Sequence, residues 1–571
     1  MIMGMGSGDR LVRSAAAKAR GRLVTLVALL ITRAVAGLAV PGLLAAALAA
    51  ALAGLPAVWP VLLLGGAVLA AAAAEGAIAL VGAAATGASA SWLYTTTVRH
   101  LLALGLRHRI PPGEATARVA QAVPAAADLA PTVAATTISA LTSLAALGGL
   151  WWIDWRVGLT FVLALPCAVL ITKRFVSGAT AAQEGYFQAQ AEVGGLLMGA
   201  LAGIRTIRAA GTTDEEIARV LGPLPRLAAS GFALWRLQRV VVWQFRLLIP
   251  LTELVVLAVA GLEVAAGRLA PAQILAITGY LALAMGGLEY VDSMFEIAES
   301  RAGAGRLADI LDQPAPDEGR RALPAGPGAV RLRDITVTHA GQSLLDGLDL
   351  DIPPGTAVAL VGATGAGKST LTGLIGRLTD PDSGEVTVDG VPVRELRLGD
   401  LRQAVTYAFD RPGLVGGTVH EAIAYGLAEA SRADVAAAAR AGHADAFIRR
   451  LPDDYDTPLA ETPMSGGERQ RLGLARALLR PARVYVLDDA TSGLDTVTET
   501  EVADSITTML AGRTRIVVAH RAATAARCDL VAWLDEGRIR AIAPHATLWT
   551  DARYRDVFGH AHDDQLEICD A

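Results

Sequence analysis

A chain of 571 residues is longer than a single hydrophobic core usually supports, so at least two domains are expected. With 53% hydrophobic residues, 18% charged residues and a mean hydropathy of +0.43, it is too apolar for an ordinary soluble enzyme. A net charge of −5 with no long basic run excludes a nucleic-acid footprint, and the scattered Cys167, Cys528 and Cys569 match neither metal-ligand nor disulfide spacing.

The apolar excess lies before residue 300. Arg10, Arg13, Lys18, Arg20 and Arg22 precede an apolar run too long for a signal peptide and without a cleavage site, which reads as a first spanning helix. A bilayer core needs roughly 20 apolar residues per helix. The stretches 34–60, 61–92, 129–153 and 157–172 meet or approach that length, and 247–262 and 269–288 form a further pair. Six spans keep both ends on one side. Basic residues beside spans favour the cytoplasm, which puts the N-terminal cluster, 99–109 and 205–246 inside, opposite connections holding only Arg156 and Arg268. Arg33, Glu75, Glu253 and Glu289 sit at membrane depth, either lining a substrate path or pairing with neighbours. The tract 179–225 predicts a helical extension with a cytoplasmic elbow.

Residues 314–328 are rich in Pro, Gly and charge and read as a linker. Strand-like runs follow at 330–337, 344–352 and 356–361, the last leading into Gly362, Ala363, Thr364, Gly365, Ala366, Gly367, Lys368, Ser369 and Thr370. This matches G-x-x-x-x-G-K-[ST] in its strand, loop and helix setting. The glycines let loop amides face phosphate oxygens, and the helix beginning at Lys368 points its positive end at them. Lys368 is the candidate for neutralising the β and γ phosphates, and Ser369 for holding Mg²⁺. A second apolar run, 484–487, ends in Asp488 and Asp489; the first carboxylate suits the Mg²⁺ shell, the second suits orienting or deprotonating the attacking water.

Upstream of that run stand Met464, Ser465, Gly466, Gly467, Glu468, Arg469, Gln470 and Arg471, which resemble the signature sequence of ATP-binding cassette proteins. The segment 490–495, ending in Asp495, resembles the loop after the second phosphate-site strand; Ala519, His520 and Arg521 resemble the switch-histidine motif. Residues 203–208 resemble a stretch of the fused exporter membrane domain. The resemblance implies a membrane all-α six-helix bundle, of type IV exporter kind, joined to a cytosolic α/β P-loop ATPase domain. It implies a transmembrane domain with coupling loops at 1–313, the linker at 314–328, a nucleotide-binding domain at 329–560 and a tail at 561–571. ATP and Mg²⁺ are the implied cofactors. In this family the Ser-Gly-Gly of one subunit completes the ATP site of another, and this chain has one copy of each part.

Several positions depart from the family pattern. Asp489 replaces the usual catalytic Glu. Asp410 stands at the Q-loop Gln, where a carboxylate could reach Mg²⁺ or repel phosphate. His339 stands where an aromatic ring stacks on adenine, and the segment 461–463 before the signature is short. These departures resemble the weak-site subunit of a heterodimeric exporter. The expectation is ATP-driven export across a bacterial cytoplasmic membrane by a dimer of half-transporters, a heterodimer before a homodimer, in the lipid bilayer and without nucleic acid. The cargo expectation is a modified peptide of lanthipeptide type, with a drug or lipid close behind. Alternatives are a non-transporting regulatory ATPase and an importer subunit.

Overall fold

Alanine and leucine dominate the first half, and because both favour helix, its apolar runs fold as long helices. The computed structural model describes residues 7–105, 112–286, 290–339, 341–427, 429–493 and 496–566. The chain divides into two units, Met1–Leu102 with Arg109–Pro314, and Ala103–His108 with Ala315–Ala571.

The first unit is all helix: α1 (Ser7–Lys18), α2 (Arg20–Leu52), α3 (Val58–Leu104), α4 (Pro112–Ile153), α5 (Trp155–Ala202), α6 (Ile204–Ala210), α7 (Thr213–Val220), α8 (Leu224–Ala265), α9 (Gln273–Met285) and α10 (Tyr290–Leu311). Four of them contain apolar stretches long enough to cross a bilayer, at Arg20–Leu52, Val58–Leu104, Arg118–Ile153 and Arg246–Ala265. The fourth and sixth expected spans correspond to shorter apolar stretches, Trp155–Cys167 and Gln273–Met285.

The first span is displaced from the expected 34–60. Its helix starts at Arg20 because arginine is a good helix former, and it stops at Leu52 because Gly54, at φ 70°, and Pro56 break it. Arg33 on α2 is paired across to Glu75 on α3 at 2.8 Å, and Glu253 is half-buried on α8. Glu289 lies outside the described residues. The elbow falls at Gly203, where the chain bends by 71° between the end of α5 and α6.

At the opposite end of α5 the bundle is fastened by charge. Asp154 caps α5 by accepting from the Arg156 amide at 2.7 Å. Arg156 also donates to Glu263 near the end of α8 at 3.1 Å, and Arg268, in the turn after α8, donates to the same carboxylate. The Glu263 side chain is only 7% exposed. Glu263 therefore ties the turn between α4 and α5 to the turn between α8 and α9.

The second unit holds two sheets. The first comprises β1 (Val330–His339), β2 (Gln342–Ile352), β4 (Ser383–Val388) and β5 (Val391–Pro392) in the antiparallel order β2-β1-β4-β5. The second comprises β3 (Ala357–Val361), β6 (Val405–Phe409), β7 (Val484–Asp488), β8 (Thr514–Val518), β9 (Leu530–Asp535) and β10 (Arg538–Ala543) in the order β10-β9-β3-β8-β7-β6. It is parallel from β9 to β6, with β10 antiparallel at the edge. Burial on both faces explains why β3 and the first four residues of β7 are unbroken apolar runs. Helix α11 (Lys368–Ile375) packs Leu371, Leu374 and Ile375 into the core shared by the sheets.

Short helices α12 (Leu398–Ala404), α13 (Val419–Ala424), α14 (Arg432–Ala441) and α15 (Asp445–Ile448) precede α16 (Gly466–Leu479). Helices α17 (Thr496–Met509) and α18 (Ala522–Ala526) flank β8 in sequence. Residues 321–328 are pinned to this unit. Arg321 exchanges backbone bonds with Glu395 and Arg397, and Arg483 donates to the Pro324 carbonyl at 2.6 Å.

The ion cluster at the end of α5 generates a stability contrast. Glu263→Gln leaves two guanidiniums without their shared carboxylate and lowers the melting temperature of the detergent-solubilised protein, whereas Glu395→Gln, at the exposed pair with Arg321 in the second unit, leaves it nearly unchanged. Thermal unfolding of the two variants side by side checks this.

Candidate nucleotide site

Register across the parallel sheet gathers the candidate residues on one edge. Leu360 pairs with Val518, Val518 with Asp488, and Asp488 with Phe409, so these four lie in one row across β3, β8, β7 and β6. The residues that follow each strand end then emerge side by side: the phosphate loop after Val361, His520 after Ala519, Asp489 after Asp488, and Asp410 after Phe409. Ligands of open α/β sheets bind at such carboxyl ends.

The loop turns tightly because it has no side chains where it is crowded. A Cβ on Gly362 would collide with the carbonyl oxygen of Leu534 on β9. Gly367 caps α11 at φ 95° and packs against Leu344 and Leu345 of β2. Between them Ala363, Thr364 and Gly365 are exposed, Ala366 is half-buried with its amide bonded to the Ala363 carbonyl, and Thr370 is half-buried on α11. His339 is exposed at the tip of the β1–β2 hairpin, two residues beyond Val337, which pairs with Leu345. The hairpin thus brings His339 to the neighbourhood of the loop.

Lys368 is 6% exposed and folds back on its own loop, donating to the carbonyls of Gly362 at 2.7 Å and Ala363 at 2.9 Å. Burial pulls its pKa below the ordinary lysine value, against the pull of Asp489 and Asp488. Ser369 donates to Asp488 at 3.3 Å, and Thr372 one turn later lies 3.4 Å from the other carboxylate oxygen. Burial raises the Asp488 pKa, the Ser369 hydrogen bond opposes the shift, and the charges of Asp410 and Asp489 add to it. Three carboxylates, Asp410, Asp488 and Asp489, thus lie within electrostatic reach of one another, with Lys368 as the buried cation among them. Tyr407 on β6 braces α11 from below by donating to the Thr372 carbonyl and accepting from the Gly376 amide.

Asp489 sits at φ 54°, a left-handed conformation that short Asp tolerates better than most residues. Ser492 fixes it, donating through both its hydroxyl and its amide to the Asp489 carbonyl. Asp410 is exposed and turned on its own backbone, accepting from the Arg411 amide at 2.6 Å. Among the described residues no three His, Cys, Asp or Glu side chains form a metal cage. His520 is exposed, and its neighbour Arg521 is ion-paired to Glu499 on α17. Asp495 lies outside the described residues.

Ser465 caps α16 in a reciprocal box: its hydroxyl accepts from the Glu468 amide, and its own amide donates to the Glu468 carboxylate at 2.8 Å. The Ser465 amide is the main reason the Glu468 carboxyl stays below its ordinary pKa. Gly466 is exposed, with open space where a Cβ would stand, and Gly467 is half-buried. Within this chain Ser465 bonds to Glu468 and not to the phosphate loop. Sequence reasoning missed the link behind this segment: buried Gln470 on α16 bonds Ser492 and Gly493. Gln470 is the one polar side chain among the buried residues of α16, which hints that it has a partner without saying which.

Residues 23–288 match the family described as ABC transporter transmembrane region, and 345–492 match the family described as ABC transporter. The ABC transporter ATP-binding protein RamA of Streptomyces coelicolor is 42% identical over 82% of this chain and 75% of its own length. An ATP-dependent lipid A-core flippase of Chromobacterium violaceum is 31% identical over 73% of this chain and 72% of its own. The multidrug efflux ATP-binding/permease protein Rv0194 of Mycobacterium tuberculosis is 31% identical over 74% of this chain and 36% of its own greater length. The ATP-bound structure of a bacterial Atm1-family ABC exporter has the same fold, with a TM-score of 0.82 over 95% of this chain and 99% of that one at 23% identity. With membrane helices and nucleotide fold matched in one polypeptide, the chain belongs to the ABC transporter family, as a multi-pass half-transporter of the bacterial cytoplasmic membrane that couples ATP hydrolysis to transport.

Proposed function

We propose that this chain exports an amphipathic cargo as one half of a dimer in which its Ser465, Gly466 and Gly467 complete the partner's ATP site and the partner's corresponding segment completes this one. The observation that carries this reading is the exposed, N-capped start of α16, whose amides are free of the chain's own phosphate loop. ATP binding closes the paired nucleotide domains and switches the membrane cavity from inward- to outward-facing; hydrolysis resets it. An importer or a purely regulatory ATPase fits less well with membrane helices and ATPase fused in one chain.

On binding, the phosphates displace the Gly362 and Ala363 carbonyls from Lys368, whose charge then meets theirs. Hard oxygens at Ser369 and Asp488, in a pocket where three carboxylates gather, fit Mg²⁺, which keeps few protein ligands beside phosphate oxygens. Mg²⁺ there neutralises phosphate charge. Asp489 orients the attacking water, His520 approaches the γ-phosphate, and His339 stacks on the adenine. Asp410 adds a negative charge beside Asp488; one of its oxygens accepts from the Arg411 amide, and the other, 3.8 Å from the exposed Arg411 guanidinium, is left as a candidate Mg²⁺ ligand.

Three departures from the family pattern favour a heterodimer. Asp489 is one methylene shorter than Glu, a retreat of about 1 Å, and misplacement on that scale can cost about a hundredfold in rate. Asp410 adds unfavourable charge, and His339 offers a smaller stacking face. The signature Ser465, Gly466 and Gly467 are intact, so this subunit lends a complete surface while its own site turns over slowly. As for cargo, the relatives named for lipid flipping and multidrug efflux support an amphipathic molecule, with a modified peptide, a drug or a lipid as the candidates.

Lys368→Ala abolishes nucleotide binding at this site and cuts ATP turnover of the assembled transporter by at least about tenfold; unchanged affinity and turnover would falsify the site reading. Purified chain alone has little vanadate-sensitive ATPase, and robust turnover by a dimer of this chain only would overturn the heterodimer. Inverted vesicles containing the assembled transporter accumulate a labelled modified peptide, a drug dye or a fluorescent lipid only with ATP. Uptake of none of the three would rule out amphipathic cargo.

A further inference from the structure

The start of α16 and the Asp489 segment are joined by one buried side chain. Gln470, 6% exposed, lies on the first turns of α16, five residues after Ser465. Its Oε1 accepts from the Gly493 amide at 2.9 Å and its Nε2 donates to the Ser492 hydroxyl at 3.2 Å. The Gly493 N–H can only donate, so the amide orientation of Gln470 is fixed and Nε2 must face Ser492. Accepting there leaves the Ser492 proton for the Asp489 carbonyl at 3.1 Å. Gly493 is required for this approach, because a Cβ on it would lie 2.5 Å from Gln470 Oε1. The donors thus run in one direction, from Gln470 to Ser492 to Asp489, and end on a residue held at φ 54°.

We propose that Gln470 is a positioning residue for hydrolysis: it sets Asp489 through Ser492 and so couples the α16 face serving the partner's ATP to the carboxylate serving this chain's own. This rests on the roles proposed above for Ser465 and Asp489. Two nucleotide sites that must fire in one cycle thereby share a single hydrogen-bonded junction. A shift of α16 on meeting the partner's nucleotide moves the Gln470 amide, and Ser492 carries the shift to the Asp489 backbone.

The test is single-turnover hydrolysis of labelled MgATP by the assembled transporter, expressed per bound nucleotide. Where the partner is a different chain, its own phosphate-loop lysine is replaced by alanine. Gln470→Glu keeps the shape and the Gly493 bond but cannot donate, and it draws the Ser492 proton away from Asp489. Ser492→Ala removes the next link at an exposed position, so it preserves folding. Each variant lowers the rate about tenfold with unchanged affinity for MgATP, and the double variant falls about tenfold as well, because both break one chain. Unaltered single-variant rates, a multiplied loss in the double variant, a parallel loss of affinity, or no turnover at this site in the parent overturns the proposal. If Lys368 is required while these variants are silent, only the junction falls; if Lys368→Ala is silent too, the site reading falls with it.

Discussion

The nucleotide half depends on one steric constraint: the chain leaving β3 must turn beneath the carbonyl of Leu534 and enter α11 within six residues, with no room for a side chain at Gly362. That turn exposes the loop's backbone to phosphate, buries Lys368 behind it and aims Ser369 at Asp488. The parallel register does the rest. Once Leu360, Val518, Asp488 and Phe409 are in one row, the phosphate loop, His520, Asp489 and Asp410 leave the sheet side by side with no further instruction.

The ligand-free loop is internally satisfied. Lys368 spends its protons on two loop carbonyls, and the raised Asp488 pKa reflects burial and neighbouring carboxylates. Both conditions are relieved by the same event, because phosphate accepts the lysine's hydrogen bonds and a divalent cation offsets the carboxylates. The carboxylates already gathered in the fold thus favour a nucleotide that arrives with its cation over bare phosphates.

Much of this was legible in the sequence because the motifs fix spacing. The phosphate loop needs a strand before it and a helix after it, and β3 and α11 stand on either side. Ser465 and Glu468 are spaced as a capping box, so the start of α16 could be read directly. Span limits were harder. Charge marks the edge of an apolar run, but arginine continues a helix, so α2 begins fourteen residues before the expected 34. Tertiary details were out of reach: nothing local signals the left-handed Asp489 or the turn of Asp410 on Arg411, and a polar Gln470 on the buried face of α16 does not name Gly493, 23 residues on, as its partner.

The ion cluster at Glu263 bears on how the bundle can move. A carboxylate shared by Arg156 and Arg268 cannot follow one guanidinium without stranding the other, so α4, α5, α8 and α9 are stapled together at the end far from the elbow. A pathway gaping at that end must part along some other seam. At that end α4, α5, α8 and α9 behave as a single wall.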